Sequence, residues 1–355
     1  PEDQVPFFAG TYFPREQRFG MPPFRKVLET LDQWYRENED EVREQNRKIS
    51  AALIAIQQPA ADQDSGVTPE SAARLLHRGA QDILARHDAT NGGYGGAPKF
   101  PQAPLLNSVA QLGRIESGDQ LLNSLELSLE RMARSGLRDH LDGGFFRYCV
   151  DDHWVIPHFE KMLYDNAMLL PLYAEGAARW NNPELERAAR GIAVWLETVM
   201  RQSPGAYAAS IDADAGGDEG AFHVWTRQEV ESLLDEPALD LFLHAYGIDA
   251  APNFENRAWH LVEQLSPAEL AQDRSIETAE VEARLRTARA VLAKARESRV
   301  HPTLDDKVLC SWNALLAEGY VRAGRALNRG DWLDRAEEIF HFIRERLWQD
   351  GVLKA

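Results

Sequence analysis

HLDGGFFRYCVDDHWVIPHFEKMLYDNA, residues 140–167, is the stretch whose reading decides the fold and the site. It holds three His, five carboxylates, a Lys, an Arg, a Cys and a Trp among Gly, Phe and Tyr. Ordinary surface loops are rich in Gly, Ser, Asn and Asp, and their residues serve turns. A loop rich in rings and ionisable groups, set between two helical patterns, reads instead as the lining of a pocket.

The helical patterns on either side extend along most of the chain. Residues 104–115 and 119–134, 160–180 and 184–201, and 311–327 and 332–348 read as three helical pairs, with apolar positions at helical spacing. Glu116-Ser117-Gly118, Asn181-Asn182-Pro183 and Asn328-Arg329-Gly330 are the turns inside the pairs. Small glycine turns with an apolar or aromatic residue recur after the helices, at Gly92-Gly93-Tyr94, Gly143-Gly144-Phe145, Gly205-Ala206-Tyr207 and Gly351-Val352-Leu353. The unit repeats every ~50–65 residues, with a larger insert around 227–298, which predicts stacked helical hairpins. The long, ring-rich connections favour a closed ring over an open solenoid, so the fold class is all-α, an α/α toroid.

Upstream, Val5–Pro14 (VPFFAGTYFP) reads as an edge strand or hairpin arm, and Pro22–Ile56 as one long helix. Gln57–Val67 has linker composition, and Thr68 with Pro69 predicts a capped helix start. The boundaries are therefore residues 1–56, a linker at 57–67 and the helical body at 68–355. Strand plus helix without a sheet, and a chain that stops just after a glycine turn, lead to the expectation that both ends are cut.

The 355 residues carry a net charge of −17, which argues against a nucleic-acid groove or an anionic membrane surface as partner. No window is apolar for long enough to span a bilayer. Cys149 and Cys310 are the only cysteines and read as two buried, reduced thiols, which points to a cytoplasmic setting.

Four loops mix rings with charge: residues 92–101, 140–161, 208–226 and 299–312. In PHFEKMLYD, at a helix start, Glu160 and Tyr164 fall on one face, Lys161 and Asp165 on another. His158 is the candidate general acid or base, oriented by Glu160 or Asp306, with His140 or His301 as a second group. Asp212 and Asp214 belong to DADAGGDE, which is like a calcium loop but has Gly216 and His223 where ligands should stand, so no metal is expected. Trp154, Trp225 and Trp312 are candidate platforms for sugar rings. Tyr94, Lys99, Phe145, Arg147, Asp305 and Lys307 complete the candidate binding set. No phosphate loop or other nucleotide motif is present, and no cofactor is expected.

GGYGGAPKFP, the 140–167 stretch, DADAGGDEGAFHVWT and HPTLDDKVLCSWNAL together resemble the spermatogenesis-associated, thioredoxin-domain-containing proteins, in order and over nearly the whole chain. The resemblance implies that residues 1–56 are the end of a thioredoxin-like domain. It also implies that the body is an incomplete toroid similar to N-acylglucosamine epimerases and six-hairpin glycosidases. The activity it suggests is carbohydrate chemistry: a sugar epimerase or isomerase first, a glycoside hydrolase second, for which Asp212, Asp214 and Asp306 are the candidate catalytic carboxylates. The alternative from another class is a non-catalytic binding or redox-chaperone module holding a glycan or a protein partner. The family's cysteine motif lies in a portion not included in this sequence, so no redox activity is assigned.

Overall fold

The computed structural model describes residues 5–17, 20–57, 68–115 and 119–354. The chain divides into two compact units, Pro1–Ser71 and Ala72–Ala355. Most of the linker read at 57–67 lies outside the described residues, as does the turn at 116–118.

In the first unit the expected long helix is two helices, α1 (Phe24–Glu37) and α2 (Glu39–Gln57). The break is at Asn38, whose side-chain amide donates to the Trp34 carbonyl and so competes with the helical ladder. The expected strand at residues 5–14 does not form, and no strand partner for it lies among the described residues of this unit. Its rings pack on α1 instead: Phe7 against Trp34 and Tyr35, Phe13 against Phe24.

The second unit is mostly helical and follows the expected pairs. Helix α3 (Pro69–Leu84) starts within the first unit, where Thr68 Oγ1 accepts the Ser71 N–H, and its residues from Ala72 onward open the second. The pairs are α4 (Ala103–Ile115) with α5 (Asp119–Arg134), α6 (Leu163–Trp180) with α7 (Pro183–Trp195), and, at the far end of the chain, two more helices described below. Asn182 caps α7 by accepting the Glu184 and Leu185 N–H groups, and Pro183 takes the first helical position. Helix α6 is buried on almost every side, which matches its apolar sequence all round.

Between α5 and α6 lie β1 (Tyr148–Cys149), β2 (Pro157–His158) and β3 (Lys161–Met162). After α7 the chain makes a π turn, Leu196–Met200, and a hairpin of β4 (Arg201–Ser203) and β5 (Ala206–Tyr207) around Gly205. Then come β6 (Ser210–Ile211), β7 (Asp214–Ala215) and β8 (Asp218–Glu219). The insert holds α8 (Arg227–Leu233), α9 (Ala238–Ala245), α10 (Pro267–Arg274) and α11 (Thr278–Arg296) around its own core, centred on Phe242, Tyr246, Leu270 and Leu285. Strand β9 (Leu304–Asp305) leads into the last pair, α12 (Cys310–Ala326) and α13 (Gly330–Phe342). A second π turn, Ile343–Leu347, and a hairpin of β10 (Trp348–Gln349) and β11 (Val352–Leu353) repeat the ending of α7. Both cysteines are free and buried.

Helix α6 packs against α4, α7 and α12. Its contact with α12 depends on two residues. Pro171 has no N–H for the Ala167 carbonyl, and a side chain at Gly319 would come within 2.4 Å of that same oxygen. Glycine therefore lets α12 close over the place where proline has opened the ladder of α6.

The four ring-rich loops are laced together by short strands. Lys99 pairs with Cys149, and β3, β6 and β9 form one antiparallel sheet, with Lys161 opposite Ile211 and Ser210 opposite Asp305. Beneath them sits a charge cluster. Asp139, 3% exposed, accepts from Lys161 Nζ at 2.8 Å and from Arg296 Nη2 at 2.9 Å. Lys161 also donates to the Gly143 carbonyl, and Arg296 lies 2.5 Å from Asp142. Lys161, expected on one helix face with Asp165, instead lies in β3 just ahead of α6, and its carboxylate partner is the distant Asp139. Truncating one partner of a buried pair strands the other charge, so Lys161→Ala should cost about 3–5 kcal/mol. The urea midpoint measures this, and a loss below about 1 kcal/mol would contradict the role given to the cluster.

Candidate functional site

The site grows from the β1–β2 hairpin, in which Tyr148 faces His158. Asp151 shapes the loop between the strands by accepting the N–H groups of His153, Val155 and Ile156. The His158 ring stacks on Tyr148 at 5.0 Å, and Tyr148 stacks on Phe100 at 4.6 Å. On one side of the imidazole, Nδ1 lies 2.6 Å from Glu219 Oε1; on the other, Nε2 lies 3.8 Å from Glu160 Oε2. Glu160 in turn accepts from Arg147 Nη1 at 2.7 Å. One half-buried histidine is thus held between two carboxylates, with a guanidinium at the end of the row.

The electrostatics follow from these contacts. The hydrogen bond to Glu219 raises His158 above the ordinary imidazole value, against the burial that would lower it. The same bond holds Glu219 below the usual carboxylate range. Asp165, in the first turn of α6, is pushed up to about 7 by burial, while Arg147 and Tyr164 pull it down. Its Oδ2 has no hydrogen-bond partner, and neither has Arg147 Nε. Tyr164 meets Trp312 edge-on at 4.8 Å and closes this end of the row.

The candidate residues divide sharply in the structure. His158, Glu160 and Arg147 come together, and Trp312 joins them through Tyr164. Glu160 is not in a helix, as expected, but just ahead of β3. His140 is elsewhere: it is buried against Tyr246 with Nε2 on the Ser135 carbonyl, and burial holds it well below the ordinary imidazole range. His301 sits on the Glu297 carbonyl. Asp306 is exposed. Asp212 accepts the Asp214 N–H within a turn, and DADAGGDE folds into the β7–β8 hairpin.

Several candidate binding residues are pegs of the core. Trp154 is buried, with Nε1 on the Asn91 carbonyl, and Lys99 lies over its ring while bonding Asp88 at 2.7 Å. Tyr94 bonds Ser124, and Phe145 stacks on Tyr173. Trp225 is buried with the Arg299 guanidinium 3.9 Å from its ring. Asp305 and Lys307 pair with each other on the exposed rim. These rings and charges stand in loops because the loops themselves have a core.

Glu219 and Asp165 were not among the site residues read from the sequence. Glu219 is 61 positions from His158 in the chain, and only the β7–β8 hairpin brings it there. For Asp165 a signal existed: it is a carboxylate at a position where the rest of α6 is apolar.

Comparison with known proteins adds the following. The family model described as "Thioredox_DsbH: Protein of unknown function, DUF255" matches residues 1–54. Spermatogenesis-associated protein 20 of Homo sapiens is 29% identical over 371 residues, 97% of this chain and 47% of that protein. The Rattus norvegicus protein of the same name is 30% identical over 380 residues, 98% of this chain and 48% of that one. The chain is thus similar over nearly its whole length to spermatogenesis-associated protein 20, as its loop motifs imply. It spans about half the length of the curated relatives it matches. Among solved structures, a sugar epimerase from a ruminal bacterium aligns with TM-score 0.34 at 13% identity, over 79% of this chain and 88% of that one. No helix among the described residues is long and apolar enough to cross a membrane.

The His158–Glu219 contact makes a signed prediction about pH. The raised imidazole contributes stability fully below the unfolded value of about 6.5, and loses it as pH rises through the folded value. The difference in melting midpoint between wild type and His158→Gln should therefore be largest near about pH 6 and shrink toward about pH 9. A difference that stays constant or grows with pH would show that the pair is not charged in the folded protein.

Proposed function

We propose that the loop face of the second unit is a proton-transfer site for a carbohydrate ligand, and that its reaction is sugar epimerisation or isomerisation. The observation that carries this reading is the 2.6 Å contact between His158 and Glu219, with Glu160 on the other side of the same ring. A histidine tied to a carboxylate is a proton carrier near neutral pH. In an opened aldose the hydrogen on C2 leaves as a proton to the neutral imidazole and its electron pair passes to the carbonyl oxygen, giving an enediolate. A proton returned to the other face of C2 restores the carbonyl as the epimer, whereas a proton returned to C1, with the O2 proton passing to O1, gives the ketose. No electron is gained or lost and no co-reactant is needed. The Arg147 guanidinium, beside Glu160, would offset charge on the enediolate oxygen, and the Phe100–Tyr148–His158 stack offers rings to a sugar.

A hydrolase would need two carboxylates across a cleft. Asp212 bonds the Asp214 amide, and no partner links either to Asp306, so the geometry gives that reading less support. The reading extends to the rest of the chain as follows: residues 1–56 belong to a thioredoxin-like domain, 57–67 to a linker, and 68–355 to an α/α toroid working in the cytoplasm. The alternative, a binding or redox-chaperone module for a glycan or protein, differs in having ligands without turnover.

Incubation of the protein with D-mannose, D-glucose and cellobiose in deuterated water tests the proposal. Deuterium should enter at C2, and His158→Ala should slow entry by about 10²–10⁴-fold, the usual contribution of a general acid–base. Binding without deuterium entry would favour the non-catalytic module, and neither binding nor entry would overturn the carbohydrate reading.

A further inference from the structure

Two histidines that the proton-transfer reading does not use lie directly beneath it. His223 and His260 are each 3% exposed. Between them stands Phe159, buried, and placed in the chain between His158 and Glu160. Its ring lies parallel to His223 at 5.3 Å and edge-on to His260 at 5.1 Å. Phe146 meets the same two imidazoles edge-on, at 4.9 and 5.6 Å.

This ring cluster supports both halves of the His158–Glu219 pair. His158 is the residue before Phe159 in the chain. Glu219 is followed by Gly220, which rests on the same ring: a side chain at Gly220 would come within 2.5 Å of it. The Phe159 amide also donates to Glu219. A displacement of Phe159 therefore disturbs both members of the pair.

The cluster accommodates its two imidazoles as neutral rings. His260 Nε2 lies 2.7 Å from the Gly136 carbonyl, which can only accept, so the ring proton is on Nε2. The other nitrogen, Nδ1, is buried and has no hydrogen-bond partner among the described residues. His223 Nδ1 lies 3.3 Å from Arg296 Nη1, which can only donate, so there too the proton is on Nε2, buried without a partner. A second proton on either ring needs an acceptor. The charged groups facing both rings are Arg296 from α11, Lys161 from β3 and Asp139 from the loop after α5. Asp139 stands 3.6 Å from His223 Nδ1 but is already shared by the two cations, and Asp142 is held by Arg296. Burial pushes His223 down to about 3 and His260 to about 4; Arg296 and Lys161 add to this, and Asp139 opposes it.

We infer that His223 and His260 make the floor of the site acid-sensitive: a proton taken up by either ring frees Phe159 and parts Glu219 from His158. The step is protonation of a ring nitrogen by water, and no other reagent takes part. It goes beyond the carbohydrate reading, since it concerns the integrity of the pair and not its substrate. The sign follows from the two rings. Both are held below the unfolded imidazole value of about 6.5, so the floor has its full stability above that value and loses it as pH falls toward about 4. The His158–Glu219 contact itself runs the other way, being strongest below about 6.5. Acid thus strengthens the contact and weakens what it stands on.

Amide hydrogen exchange of the whole chain, corrected for intrinsic rate, tests the inference. The amides to follow are those of Phe159, of Gly220, bonded to the Ala213 carbonyl, and of His223, bonded to the Gly220 carbonyl. Between pH 6.5 and 5 their opening constant should rise about a hundredfold, about tenfold for each imidazole, while the amides of α6 keep their protection. His223→Phe and His260→Phe, which put an uncharged ring in the same place, should each cut the rise to about tenfold. Nuclear magnetic resonance of the wild-type imidazoles supplies the measurement that needs no variant: the folded His223 and His260 signals should not titrate down to pH 5. Flat exchange, a rise unchanged in both variants, or an imidazole that titrates while the Gly220 amide stays protected would each overturn the floor. A rise shared equally by α6 would show global acid unfolding and overturn it as well. Failure of deuterium to enter at C2 would remove the proposed reaction and leave these outcomes as they stand.

Discussion

The second unit depends on one buried carboxylate. Asp139 holds Lys161 from the start of β3 and Arg296 from the end of α11, and both cations are almost fully buried. The three residues come from parts of the chain that could otherwise settle independently: the loop after α5, the strand before α6 and the last turn of the insert. Burying three charges is unfavourable unless each is matched, so this arrangement admits few alternatives. Once Lys161 is pinned, β3 is fixed, β6 pairs with it and β9 with β6, and His158 takes its place three residues upstream.

The candidate site inherits its geometry from that frame. His158 is carried on β2 and Glu219 on β8, and neither strand is longer than two residues. Strands so short have little stability of their own. Their positions come from stacking, from the Asp151 turn and from the packed loops beneath. Trp154, Lys99, Tyr94 and Phe145 serve that purpose, which explains why residues of such reactive types stand in loops without facing solvent.

Much of the architecture was legible because helices are local. The periodicity of residues 119–134 alone places α5, and Asn182 with Pro183 announces the start of α7. The strands were not legible, since a two-residue strand has no period. The single helix expected at residues 22–56 failed at Asn38 for a reason of side-chain competition that composition does not rank. Of the site, His158, Glu160 and Arg147 were readable as neighbours in sequence. Glu219 was not, because the contact is made by folding, and its carboxylate looked like one more acid in a turn. His140 misled for the converse reason: a histidine beside a glycine turn looks accessible, whereas its ring is used to seat Tyr246.

The insert has a core of its own, distinct from that of the helical pairs. Segments packed in this way tend to open and close as separate cooperative units, well below the free energy of global unfolding. Trp225, a member of that core, lines a cavity beside Glu219, whereas His158 is held by Tyr148 and Glu219. Trp225 and His158 thus draw their support from different contacts, the one from the core of the insert and the other from its ring stack and its carboxylate partner.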